Sequence, residues 1–206
     1  MANMMAIMNV SMGLAESFEM RVSREQMAEN RRRILQEAGR LFREKGFDAV
    51  SVAEVMNAAG LTHGGFYGHF SSKDDLFAQT IAHVLAGQGS GVEDLRAFIS
   101  AYLSPRHREN LADGCPTAGI VADIRHHTPA ARSAMTEALR LQIDRISKAL
   151  GGADAEERRR VAIGSWAAMV GAVILARAID DPTLSDEILD QTRAWIDAGI
   201  SRSSAG

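Results

Sequence analysis

From residue 23 onward apolar side chains return every three or four positions, the period of a helix with one buried face. Met27, Ile34, Ala38, Leu41 and Phe42 share one face of a first predicted helix, which opens at the capping-box sequence Ser23-Arg24-Glu25-Gln26 and stops at Gly46. A second box, Ser51-Val52-Ala53-Glu54, starts a short helix whose Val52, Val55, Met56 and Ala59 form its apolar side. Gly60 suits the left-handed position after that helix, with Leu61 tucking back beneath it. Thr62 is a candidate N-cap for a third, very short helix with Phe66 and Phe70 inward, and Ser72 caps a longer one with Asp74 and Asp75 in its first turn. Beyond a glycine-rich loop at Gly87-Gln88-Gly89-Ser90-Gly91, helices are predicted over about 92–103, 116–127, 129–150, 155–179 and 185–201. Thr128-Pro129, Thr183 and Ser185 mark starts; Gly151 and Pro182 mark stops. The pattern predicts an all-α chain of about nine helices.

Two short helices joined by a tight glycine turn form a helix-turn-helix, a device for entering a DNA major groove. Gly64 and Gly65 sharpen that reading, because each costs roughly 1 kcal/mol relative to Ala inside a helix. A backbone stripped of side chains permits close approach of another surface. His63, Tyr67, His69 and Lys73 can donate to phosphates, and Thr62 sits at a helix N-terminus disposed toward an anion. The alternative is that these are ordinary polar surface on a helical hairpin.

The stretch from Ile34 to Phe77 resembles the TetR/AcrR family of bacterial one-component transcriptional regulators. Its most specific part is the run Leu61-Thr62-His63-Gly64-Gly65-Phe66-Tyr67-Gly68-His69-Phe70-Ser71-Ser72-Lys73. The resemblance implies that Ser51 contacts the phosphate backbone and that Thr62, His63, Gly64, Gly65 and Gly68 lie on the groove side. It also implies that Tyr67, His69 and Lys73 hold phosphates. Gly65 and Gly68 have no side chain to read bases, so direct readout falls mainly to Thr62 and His63. A three-part organisation follows: a disordered extension over 1–22, a helix-turn-helix domain over 23–71, and a helical effector-binding and dimerisation body over 72–206.

Composition is compatible with this. The chain has 206 residues, 46% of them apolar, with four prolines, enough for a small head on a larger helical body. No apolar run of 18 residues is seen, so no membrane span is expected; the single Cys115 suits a reducing cytoplasm. The formal net charge of −3 argues against a DNA binder until its distribution is considered. Between Arg21 and Gly46 eight basic residues face four acidic ones. Arg31, Arg32 and Arg33 point in different directions on a helix, so the run is read as mostly solvated, with one or two phosphate contacts. Six of the ten methionines lie in the first twenty residues, without Lys or Arg, which does not fit a secretory leader. Disorder, or a translation start further in, is expected there.

Gly164, Ala167, Ala168, Gly171 and Ala172 leave one side of the predicted 155–179 helix bare, while Trp166, Met169, Val170, Val173 and Ile174 load it with bulk. With Trp195 and Ile196 in the last helix, this is either a seam internal to one subunit or an interface. The resemblance implies the latter, a homodimer using Trp166, Val170, Gly171, Ile174 and Trp195. A two-fold dimer would read a roughly palindromic operator. The resemblance also implies an effector cavity in the body, for which Phe98, Tyr102, Cys115, Ile124, Met135, Trp166 and Met169 are candidate lining residues. Simple core packing is the other reading of each.

Gly114-Cys115-Pro116 puts the cysteine at an N-cap, where helix amides would favour a thiolate, although Asp113 opposes this. Some TetR-type regulators with a Gly-Cys pair here sense electrophiles or oxidants; a structural cysteine is the other reading. No cofactor or metal site is expected, since His126 and His127 diverge on a helix and no CxxC, nucleophile elbow or phosphate loop occurs. The sequence reading is a ligand-responsive repressor of double-stranded DNA, not an enzyme. The rival is a helical sensor or interaction protein that does not bind an operator.

Overall fold

The computed structural model describes residues 2–86, 92, 94–112, 114–124, 127–152 and 154–203. Among the described residues the chain is helical without strands: α1 (Ala2–Lys45), α2 (Val52–Ala58), a 3-10 helix (His63–Gly68), α3 (Lys73–Ala86), α4 (Leu95–Tyr102), α5 (Pro105–Glu109), α6 (Pro116–Ile124), α7 (Pro129–Ala149), α8 (Ala155–Ala178) and α9 (Pro182–Ser203). The predicted loop at residues 87–91, together with Asp113 and His126, lies outside the described residues.

Local chemistry sets most boundaries. Gly46 and Gly60 have φ of 80° and 68°, conformations that favour glycine, and they end α1 and α2. The Leu61 N–H returns to the Met56 carbonyl at 2.8 Å and the Gly60 N–H to Asn57 at 2.9 Å, closing the α2 C-terminus. Ser72 Oγ accepts from the Asp75 N–H at 3.0 Å at the start of α3. Asp94, Ser104, Thr128 and Asp154 cap α4, α5, α7 and α8 in the same way.

Several expectations require correction. The backbone of α1 is helical from Ala2, so helix stands over residues 2–22 where disorder was expected, and the Ser23 capping box lies inside it. The Ala, Met, Leu and Glu of this stretch are strong helix formers, with no proline to interrupt them. Met27, expected inward, is 44% exposed. The third helix of the head is a 3-10 turn rather than an α-helix, in keeping with three glycines in six residues. The short helix α5 was not anticipated. Pro182, read as a stop, instead occupies the first position of α9, where Asp181 Oδ1 accepts from the Thr183 and Leu184 N–H groups at 2.9 and 3.1 Å. Ser185, read as a start, is buried in the first turn and donates to the Ala176 carbonyl at 2.8 Å. Contrary to the hydropathy expectation, α8 is long and apolar enough to cross a membrane. Its Ala162, Trp166, Met169 and Val173 are buried in the body core, as in the central helix of a soluble bundle.

Two apolar cores result. The first joins Ile34, Phe42, Met56 and Phe66 of the head and Phe77 of α3 to Ile120, Ile124, Ala131 and Met135 of α6 and α7. The second lies among α4, α6, α7, α8 and α9 around Ile99, Ile146, Met169 and Leu189. The head is thus seated on the body through α6 and α7. Gly39 and Gly119 permit the close crossings: a Cβ on Gly39 would lie 2.6 Å from Val84, and one on Gly119 3.3 Å from Arg43.

Candidate nucleic-acid interface

The 3-10 helix anchors itself by one buried ring and exposes almost everything else. Phe66 is buried against Phe70, their rings stacked at 5.7 Å. Thr62, His63, Gly64, Gly65, Tyr67 and Gly68 are exposed, and Tyr67 retains 74% of its surface. A Cβ at Gly64 or Gly68 would meet nothing within 4 Å, and one at Gly65 only Met56 at 3.7 Å. The glycines therefore do not relieve crowding inside the chain. Their bare backbone faces outward.

Each predicted contact residue has a defined state. Ser51 Oγ accepts from the Glu54 N–H at 3.1 Å, which leaves its own hydrogen free to donate outward. The Glu54 carboxylate is held chiefly by Lys45 at 2.7 Å, with the Ser51 amide as a weaker influence, so the capping box is asymmetric. Thr62 stands exposed at the N-cap without a side-chain cap bond. His69 is half-buried; burial and then the Arg31 guanidinium push its imidazole below the ordinary range, so it offers a neutral N–H rather than a cation. Lys73 is pinned, donating to the Phe47 carbonyl at 2.6 Å while its ammonium lies 4.1 Å from the Phe47 ring centre. That bond uses one of three ammonium hydrogens.

The arginine run serves the head's interior more than the solvent, which corrects the sequence reading. Arg31 donates to the His69 carbonyl and to Gln79, with its guanidinium 4.5 Å from the Phe70 ring. Arg33 donates to the Ala59 carbonyl at the end of α2. Only Arg32 fits the solvated description, paired with Glu29 on the exposed side. Sequence reasoning also missed Asn30. It lines, with Met27, Leu61, Thr62 and Gly65, a concavity of about 370 Å³ beside the exposed glycine backbone. The lone clue was its position one turn before Ile34.

In the body the candidate effector residues separate into two groups. Ile124 and Met135 belong to the head-facing core, whereas Tyr102, Cys115, Trp166 and Met169 belong to the second, with Phe98 half-buried beside them. They do not line one common space. Cys115 stands at the N-cap of α6, since its carbonyl accepts from Gly119 at 3.1 Å, but its side chain is buried in the apolar core. Its N–H donates to His107 Nε2 at 3.1 Å.

The proposed interface residues divide too. Trp166 is 5% exposed, stacks within its own subunit on Phe98 and meets the tilted ring of Tyr102, and Val170 is also buried, so both belong to the subunit core. Gly171 and Ile174 are half-buried, and Trp195 is 61% exposed. Ile163, Gly164, Ala167, Gly171, Ile174 and Leu175 form an open apolar stripe along α8. Beside it Gly164, Trp195 and Gly199 line a groove of about 480 Å³ between α8 and α9.

Known proteins share this architecture. A family model described as bacterial regulatory proteins of the tetR family matches residues 34–80, and one described as a tetracyclin repressor-like C-terminal domain matches residues 91–192. The HTH-type transcriptional regulator AcrR of Shigella flexneri is 41% identical over 59 residues, which is 29% of this chain and 27% of that regulator. The HTH-type transcriptional repressor BdcR of Escherichia coli is 29% identical over 100 residues, 45% of this chain and 51% of its own length. The chain thus spans about a quarter and about half of these two relatives. The crystal structure of E. coli NemR in its reduced form superposes with a TM-score of 0.65 at 21% identity, covering 81% of this chain and 94% of that one.

Proposed function

The chain belongs to the TetR/AcrR family of bacterial transcriptional regulators, and from that premise we propose that it is a ligand-responsive repressor. It binds a roughly palindromic operator as a homodimer in the cytoplasm and is released when a small molecule or reactive species acts on the body. The observation that carries the reading is the outward glycine backbone of His63–Gly68, open at Gly64 and Gly68, with Ser51, Thr62, His63 and Tyr67 all exposed. Such a surface brings main-chain atoms against phosphates and base edges, with base readout left to Thr62 and His63. Repressor polarity is supported by the name of BdcR. The apolar stripe of α8 with Trp195 supports self-association.

Sequencing of DNA captured by the full chain, followed by gel shift on the recovered sequence, tests this. Enrichment of an inverted repeat, with binding that weakens steeply as salt rises, is the expected result. Recovery of no enriched sequence would instead favour a helical sensor or interaction protein, a role compatible with the inward commitment of Arg31 and Arg33.

A further inference from the structure

Two hydrogen-bond donors are left without partners in the body core, and both lie in one aromatic cluster. The Tyr102 hydroxyl and the Trp166 indole N–H are buried, and among the described residues neither meets an oxygen or nitrogen partner. Tyr102 is 7% exposed and its ring centre lies 5.3 Å from that of Trp166. The Cys115 thiol lies beside the Tyr102 hydroxyl, but sulfur is a weak acceptor. A buried donor left unsatisfied loses its bond to water with nothing in return, so two in a single cluster call for an explanation.

Neighbouring polar groups are already committed. His107 Nε2 accepts from the Cys115 N–H at 3.1 Å, so its proton resides on Nδ1, which donates to the Tyr102 carbonyl at 2.7 Å. Arg177 turns Nε to the Arg108 carbonyl at 2.9 Å and Nη2 to the His107 and Asn110 carbonyls at 3.0 and 3.4 Å. What the cluster still offers is two neutral donors among ring faces. Phe98 and Trp166 lie within 21° of parallel with centres 6.5 Å apart. Two ring-to-ring contacts at about 3.5 Å each span about 7 Å, so a small outward shift of α4 would admit one flat ring. Phe98 is half-buried, and α4 is tied to α9 through Arg96, which reaches Asp197 at 3.2 Å and Ser201 at 3.0 Å.

We propose that the Phe98–Tyr102–Trp166 cluster is the binding site for a small, uncharged, planar aromatic molecule bearing a hydrogen-bond acceptor such as a carbonyl. The ring lies between Phe98 and Trp166, and the acceptor takes the Tyr102 hydroxyl. This rests on the reading that the body receives an effector, and it assigns that effector's chemistry.

Calorimetric titration of the full chain with 1-indanone and with indane, the same ring system without an acceptor, tests the proposal in the absence of DNA. The ketone should bind at least tenfold more tightly than the hydrocarbon. Tyr102→Phe should cut ketone affinity at least fivefold, leave indane binding unchanged, and keep or raise the melting temperature, since it removes an orphaned donor. A ketone that binds no better than indane, or a Tyr102→Phe chain that keeps full ketone affinity or melts lower with its binding selectivity intact, overturns it. Operator release by the ketone, read by gel shift, is scored separately. Binding without release would sink the regulatory reading while leaving the site standing.

Discussion

Arg43 Nε on α1 donates to the carbonyl of Ala112 at 2.6 Å, joining the helix that frames the head to the segment leading into α6. From the other side Arg177 of α8 holds the same segment through the carbonyls of His107, Arg108 and Asn110. The approach is close enough that a Cβ on Gly114 would fall 2.2 Å from the Asn110 carbonyl oxygen. A body rearrangement that displaces the Ala112 carbonyl would pull on α1 through Arg43. Arg43→Met should therefore leave effector affinity within about twofold while weakening the effector's influence on operator binding. Allosteric couplings are commonly worth 1–3 kcal/mol, or about 5–150-fold. Operator titrations with and without saturating effector measure it, and unchanged coupling would remove Arg43 from the route.

The glycine backbone of the 3-10 helix makes a second prediction. Added methyl groups at Gly64 and Gly68 have free space in the isolated chain. Gly64→Ala and Gly68→Ala should keep or raise the melting temperature and weaken operator binding at least tenfold, about 1.4 kcal/mol. Full affinity in fluorescence anisotropy would mean that DNA does not approach this backbone.

Self-association is testable at Gly171, where a Cβ likewise meets nothing within 4 Å inside the subunit. Gly171→Trp should leave helical content intact and convert a dimer to monomers in sedimentation velocity. Trp195→Ala should weaken the dimer more mildly, because it removes bulk rather than adding obstruction. A Gly171→Trp chain that still sediments as a dimer places the interface elsewhere.

His107 gives a pH prediction. Burial pushes its imidazole below the ordinary value of 6.5, in keeping with the acceptor role of Nε2 toward Cys115. A depressed histidine means that the unfolded chain binds the extra proton first, so stability rises with pH in this window. Its contribution is complete above about pH 6.5 and is lost as pH falls from there through the lower folded value. Thermal melts between about pH 5 and 8 should show a smaller acid-side loss for His107→Asn than for the parent chain, relative to each at pH 8. Parallel curves would show that this ring does not contribute.

The caps at Ser51, Ser72 and Thr128 and the stops at Gly46 and Gly60 were legible because they depend on neighbours only a few residues away. The TetR-like head was legible for the same reason. Its specific residues fall within one short run whose spacing fixes which groups face outward. Met27 and Pro182 were misread where a local pattern met a longer-range circumstance. The periodic apolar position of Met27 is left 44% exposed at the rim of the head's concavity, and the proline that can end one helix opened the next.

Sequence alone determined most of the helical elements, the turn between α2 and the 3-10 helix, and the chemistry available on its exposed side, since backbone propensity and capping act over three or four residues. Only tertiary packing decided that Arg31 and Arg33 brace the head, that Trp166 turns inward while Trp195 stays out, and that the body candidates split between two cores. A helix carries apolar groups around much of its circumference. Which of them meets another helix is set by crossing geometry between segments up to a hundred residues apart, as in the Arg96–Asp197 pair, and no local pattern encodes that geometry.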